Sequence, residues 1–153
     1  MGDTFTKIYL HFVFAVQDRA SLIKDEWKKD LYKYITGIIH TNKHQVIVIN
    51  GMPDHIHILV SYRQHQTIPS LLQDIKASSS KWINEQNFTI GRFAWQAGYA
   101  AFSYSESQID IIANYIRNQE KHHAKKSFQE EYITFLKKYN IPYVEKYILH
   151  NVE

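Results

Sequence analysis

The stretch His44–Tyr62, HQVIVINGMPDHIHILVSY, reads as two strands around a turn. Its first part carries the β-branched run Val46, Ile47, Val48 and Ile49, which suits a strand over 44–50. Gly51, Pro53 and Asp54 then supply turn chemistry. From His55 to Tyr62 the pattern alternates. Ile56, Ile58 and Val60 share one face, and His55 and His57 share the other. Successive same-face positions on a strand lie about 7 Å apart, so the two imidazoles stand side by side. The hairpin thus has an apolar face that needs covering and a polar face that bears two potential metal ligands.

Working outward, Ile8 to Val16 alternates in the same way and forms a first strand. Between it and the hairpin, about Asp25 to Asn42 reads as a helix. Trp27, Leu31, Ile35 and Ile38 fall on one side, and Asp25 and Glu26 suit its positive end. A second helix is predicted from about Ile68 to Asn84, with Thr67 as its cap and Pro69 in its first turn. Phe93–Gln96 and Tyr99–Ser103 read as short strands around Gly98. Glu106 to about His122 reads as a third helix and Phe128–Tyr139 as a fourth. The order strand–helix–strand–strand–helix–strand predicts an α+β fold. It is a ferredoxin-like antiparallel sheet with helices on one face, plus a C-terminal tyrosine-bearing helix, and its other face is expected to be free.

The 153 residues, with no linker or repeat, suit one domain spanning 1–153. There are no cysteines, which removes disulfides, zinc ribbons and thiol catalysis. No apolar run approaches the roughly 18–20 residues of a membrane span, and the N-terminus lacks the pattern of a secretory signal. A cytoplasmic, nucleoid-associated protein is expected. The net charge of +3 is too small to argue for nucleic acid by itself. The 11 tyrosines and nine histidines suit stacking on unpaired bases, although ordinary core and surface positions would account for them as well.

An isolated His-x-His is a weak signal for a metal. More comes from the third helix, where Tyr115 and Gln119 are four apart and share a face. A phenol and an amide oxygen one turn apart would place a nucleophile beside a hard-metal ligand. Ile109, Ile112 and Ile116 make the adjacent core stripe. Downstream, Arg117, Lys121, Lys125 and Lys126 form a basic patch suited to a phosphate backbone, or to offsetting a helix dipole. His122 and His123 diverge by about 100° on a helix, so they are not expected to chelate together. His11 belongs to the same sheet face as the histidine pair and could sit beside it, within reach of DNA. Tyr104, at the end of a strand, is the next candidate nucleophile but has no ligand partner one turn away.

Four segments, YLHFVFAV, NGMPDHIHILV, WQAGYAAFSYS and YIRNQEKHH, resemble the HUH endonuclease superfamily. In particular they resemble the small single-tyrosine transposases of the simplest bacterial insertion sequences. The resemblance runs through nearly the whole chain. It implies that His55 and His57 bind Mg²⁺ or Mn²⁺, with Gln119 as third ligand, and that Tyr115 is the nucleophile. It further implies homodimers that act on single-stranded DNA hairpins, and cleavage and rejoining through a 5′-phosphotyrosine link. No nucleotide-triphosphate motif is visible, and a phosphotyrosine link conserves the bond energy without one. Two other readings compete. One is a domesticated relative that processes chromosomal repeat hairpins, or a replication or relaxase-type initiator. The other is a non-catalytic module that binds RNA or single-stranded DNA on its open sheet face.

Overall fold

The computed structural model describes residues 2–143. Four strands, β1 (Ile8–Ala15), β2 (Gln45–Met52), β3 (His55–Tyr62) and β4 (Ala100–Tyr104), form one antiparallel sheet in the order β2-β3-β1-β4. This is the predicted ferredoxin-like order. The inner strands β1 and β3 pair throughout, from Ile8 opposite Tyr62 to Ala15 opposite His55. β1 is therefore a central strand, and the edges belong to β2 and β4.

One face of the sheet is apolar because alternate residues of the inner strands are. Leu10, Phe12, Phe14, Ile56, Ile58 and Val60 pack there against α1 (Asp25–Thr41) and α2 (Ile68–Gln86). The buried stripe of α1 is Trp27, Leu31, Ile35 and Ile39, so it closes on Ile39, with Ile38 at its margin. Thr67 caps α2 as expected, its hydroxyl accepting from Ser70 N at 3.3 Å. Each large aliphatic or aromatic side chain buried here contributes roughly 1.5–3 kcal/mol.

The other face is not free. It is covered by α3 (Ile109–Arg117), α4 (Gln119–His123) and α5 (Phe128–Lys138). A second core forms beneath them from Val13, Ala15, Leu59, Phe102, Ile112, Ala113, Ile116, Phe128 and Leu136. An amphipathic fourth helix directly after the third has nowhere else to bury its apolar side.

Two further expectations change. The segment from 93 to 96 is not a regular strand; it makes a single bridge, Trp95 to Val16, while β4 begins at Ala100. The third helix is not continuous. A short 3₁₀ turn at Glu106–Gln108 precedes α3, and the helix breaks at Asn118, whose backbone (φ −102°, ψ 29°) departs from helical geometry. The break frees the carbonyls of Ile116 and Arg117. Asn50 on β2 donates to both, at 2.9 and 3.2 Å, so the freed carbonyls are satisfied.

The β2–β3 turn is tight for a reason that a glycine meets. A Cβ on Gly51 would collide with the His55 carbonyl oxygen, far inside van der Waals contact. Only the missing side chain lets the two strands approach at the point where His55 is set.

Candidate active site

β3 carries His55 and His57 to the same face, as the alternation required, and both are fully buried under α3–α5. Each ring is held at Nδ1. His55 Nδ1 lies 2.7 Å from Asp54 Oδ1, and His57 Nδ1 lies 2.8 Å from His11 Nε2. Partners at Nδ1 fix ring orientation and leave both Nε2 atoms facing inward. His55 is further clamped by Phe128, whose ring stacks on it with centroids 3.7 Å apart. Burial opposes ionisation of Asp54, but the hydrogen bond from His55 wins and holds its carboxyl below the usual range.

His11 does lie beside the pair, because β1 neighbours β3. It is fully buried, however, with Tyr104 Oη 3.3 Å from its Nδ1. A residue so enclosed touches no DNA, and its place is behind His57. Burial, reinforced by His57, pushes its imidazole well below the ordinary range, so it is neutral. Tyr104 is part of this buried chain.

Gln119 opens α4 directly after the helix break. It is fully buried, with Oε1 3.2 Å from His55 Nε2. Tyr115, half-buried on α3, reaches the same cluster: its ring stands 6.1 Å from that of His57. The structure thus brings together the four residues singled out from the sequence, although they come from three elements.

Two residues of the cluster were not anticipated. Glu131 on α5 is buried, and its Oε1 is 2.9 Å from His57 Nε2. The same oxygen is 3.3 Å from His123 Nε2 and 3.6 Å from His55 Nε2. Its Oε2 accepts a hydrogen bond from the Tyr115 hydroxyl and lies 3.3 Å from Gln119 Nε2. His123 comes from α4. His122, its neighbour, turns away and packs on Tyr115 with ring centroids 4.3 Å apart, so the two adjacent histidines do not act together. A signal for Glu131 existed in the sequence. It lies three residues after Phe128 and four before Phe135, on the apolar side of an amphipathic helix where a carboxylate has no ordinary place.

Burial works against a charge on Glu131, but hydrogen bonds from His123 and His57 outweigh it and keep the carboxyl well below its usual range. Burial likewise opposes a charge on His123, and the Glu131 carboxylate overcomes it, raising this imidazole. His57 moves the other way, because its burial dominates. Burial and the charge of Glu131 push the Tyr115 phenol upward, so its hydroxyl keeps its proton at neutral pH.

The donor set fits a divalent cation. His55, His57, His123 and Glu131 offer ligand atoms within 4.8 Å of one another, and the Gln119 amide oxygen adjoins them. Three imidazoles favour Mn²⁺ over Mg²⁺ among oxygen-loving ions.

Beside Tyr115 and Glu131 a groove of about 580 Å³ opens to solvent. Lys121, Lys125, Lys126 and Lys138 line it together with Ile111, which is 70 % exposed, and Phe135. Three of the four predicted basic residues therefore border the tyrosine. Arg117 does not. It is exposed outside the groove and donates to Asn114 Oδ1 at 3.3 Å.

Residues 4–119 match the family model described as transposase IS200 like. The chain belongs to this family. Among curated relatives it is similar to the ISDra2 transposase TnpA of Deinococcus radiodurans, with 26% identity over 114 residues, or 71% of this chain and 81% of that protein. Two solved structures share the fold. One is a transposase candidate from Deinococcus radiodurans (TM-score 0.63, 23% identity, 78% of this chain and 96% of that one). The other is a REP-associated tyrosine transposase bound to a REP hairpin (TM-score 0.61, 13% identity, 80% of this chain and 73% of that one). No helix among the described residues of this IS200-like transposase is long and apolar enough to cross a membrane.

Proposed function

We propose that this transposase cleaves and rejoins single-stranded DNA at hairpin-flanked element ends through a covalent 5′-phosphotyrosine link at Tyr115. The cation it needs, Mg²⁺ or Mn²⁺, would be held by His55, His57 and Gln119. The observation that carries this reading is the meeting of a tyrosine hydroxyl with a buried cluster of imidazoles at the head of a lysine-lined groove.

The groove suits the substrate. Lysines follow a phosphate backbone, while Ile111 and Phe135 offer apolar surface to unpaired bases. In that groove Tyr115 is a hydroxyl that meets the imidazole cluster and can attack phosphorus. Its proton points at Glu131 Oε2, which leaves the lone pairs of the phenol oxygen for the phosphate. As the tyrosine oxygen bonds to phosphorus it gives up its proton toward Glu131 Oε2, the bond from phosphorus to the 3′ oxygen breaks, and that oxygen takes up a proton to leave as a free 3′-OH. The reverse attack by another 3′-OH rejoins the strands without any nucleotide triphosphate. A bound divalent cation would offset the charge that builds on the phosphate oxygens. Asp54 and His11 keep the two imidazoles aimed, and α5 keeps water away from them.

The family likeness also suggests a homodimer, for which the edge strands β2 and β4 are the available ones. Work on element DNA would place the protein in the cytoplasm, with the nucleoid. An enzyme that processes repeated chromosomal hairpins would use the same site, and transfer of the flanking DNA to a new location separates the two. A module that binds RNA on an open sheet face is disfavoured, because α3–α5 cover that face.

The test is a labelled hairpin oligonucleotide incubated with Mn²⁺ and run on a denaturing gel. The native protein should form a covalent adduct, and Tyr115→Phe should form none while keeping its fold. Changing His55 and His57 together to Ala should abolish cleavage. An adduct that persists in Tyr115→Phe would move the nucleophile elsewhere and defeat the assignment.

A further inference from the structure

The family match ends at residue 119, and Glu131 and His123 lie beyond it. Nothing in that pattern accounts for a carboxylate in the middle of the histidine cluster. Glu131 is nevertheless the residue that touches every other member of the site. One of its oxygens faces three imidazole Nε2 atoms at 2.9, 3.3 and 3.6 Å. The other receives the Tyr115 hydroxyl and adjoins Gln119 Nε2. The side chain is buried, so these contacts stand in for the water it has lost.

A carboxylate on the apolar side of a helix is costly unless something repays its desolvation. Surface ion pairing does not explain it, since Glu130, one residue earlier on the exposed side of α5, would serve that end. A ligand role does explain it. A carboxylate supplies the anionic oxygen that Mg²⁺ and Mn²⁺ favour and that two imidazoles and a neutral amide lack.

We propose that Glu131 is a protein ligand of the site's cation, joined by His123, so that the last helix of the described chain completes the metal centre. This rests on the metal reading given above and extends its ligand set beyond His55, His57 and Gln119. One carboxylate oxygen serves the cation and the other holds the tyrosine hydroxyl, which ties the nucleophile to the metal through a single side chain. The competing role is a plug: a carboxylate that occupies the cation's place and must leave before the cation binds.

Direct Mn²⁺ binding separates these. The full-length protein is freed of metal with a chelator and titrated with Mn²⁺ by calorimetry, with the loss of the free-ion EPR signal as a second readout. Glu131→Gln keeps the size but removes the charge and turns one accepting oxygen into a donor. It should weaken Mn²⁺ binding about tenfold or more, as lowering the ligand charge does at carboxylate sites. Glu131→Asp keeps the charge and retracts it, and should fall between native and Gln; it carries the test if Glu131→Gln does not fold. Affinity equal to or tighter than native in the folded variants would overturn the proposal and establish the plug. The double change of His55 and His57 to Ala is the control. If it loses Mn²⁺ while the Glu131 variants do not, only the proposal fails; if native protein binds no Mn²⁺, the metal reading fails with it.

Discussion

His11 stands behind His57, buried in the second core. Its Nε2 meets His57 Nδ1 at 2.8 Å, and Phe102, Tyr104 and Phe135 enclose its ring. His11→Phe fits this aromatic surround but strands His57 Nδ1 without a partner. An unsatisfied buried polar group costs about 1–3 kcal/mol. Loss of a residue that orients a ligating imidazole weakens metal binding by roughly 10–100-fold. We therefore expect His11→Phe to melt at a lower temperature and to bind Mn²⁺ more weakly in calorimetric titration. Unchanged affinity in a folded variant would show that His57 needs no such support. At this scale the sequence disclosed the relations that local geometry dictates: the shared face of His55 and His57, and the nearness of Tyr115 to Gln119. It did not disclose Glu131 or His123. Their approach depends on how α4 and α5 fold back over the sheet, and that is decided by packing such as Phe128 on His55.

Among the elements, the β2–β3 hairpin and the broken tyrosine helix fix the site's dimensions. Their order along the chain was legible because periodicity is a local signal. The break at Asn118 was not, since Asn50, the group that satisfies the freed carbonyls, lies 66 residues from Ile116 in sequence. Nor was the covering of the second sheet face legible, because the apolar side of α5 names no partner. Gly51→Ala tests the hairpin. The added methyl would press on the His55 carbonyl, and the strands must separate to admit it. Overpacking of this kind costs about 1–3 kcal/mol. A lowered midpoint in thermal denaturation, together with weaker Mn²⁺ binding, is the expected result. A variant as stable as the native protein would mean that the turn gives way without disturbing His55.

For the molecule as a whole, the proposed nucleophile and the histidines meet within one chain. Tyr115, His55, His57, Gln119 and Glu131 are all joined by contacts of a single copy. A dimer formed along β2 or β4 would then carry two self-contained sites. Mixing Tyr115→Phe with the His55→Ala, His57→Ala double variant should yield no covalent adduct on the hairpin substrate. Recovery of the adduct in the mixture would mean that the tyrosine helix crosses to the partner's histidines.

The sheet separates two cores of different character. That under α1 and α2 is built almost wholly of Ile, Leu, Val and Phe, whereas that under α3–α5 encloses His11, His55, His57, Gln119 and Glu131. In the metal-free protein we expect the second layer, which buries a carboxylate among imidazoles, to be the one that opens at smaller free energy. Amide hydrogens of α4 and α5 should therefore exchange with deuterated water sooner than those of α1 and α2, and added Mn²⁺ should slow them alone. On heating, the capacity to nick DNA would disappear while most of the circular dichroism persists. The helix that finishes the reaction centre would then also be the first part of the enzyme to wear out.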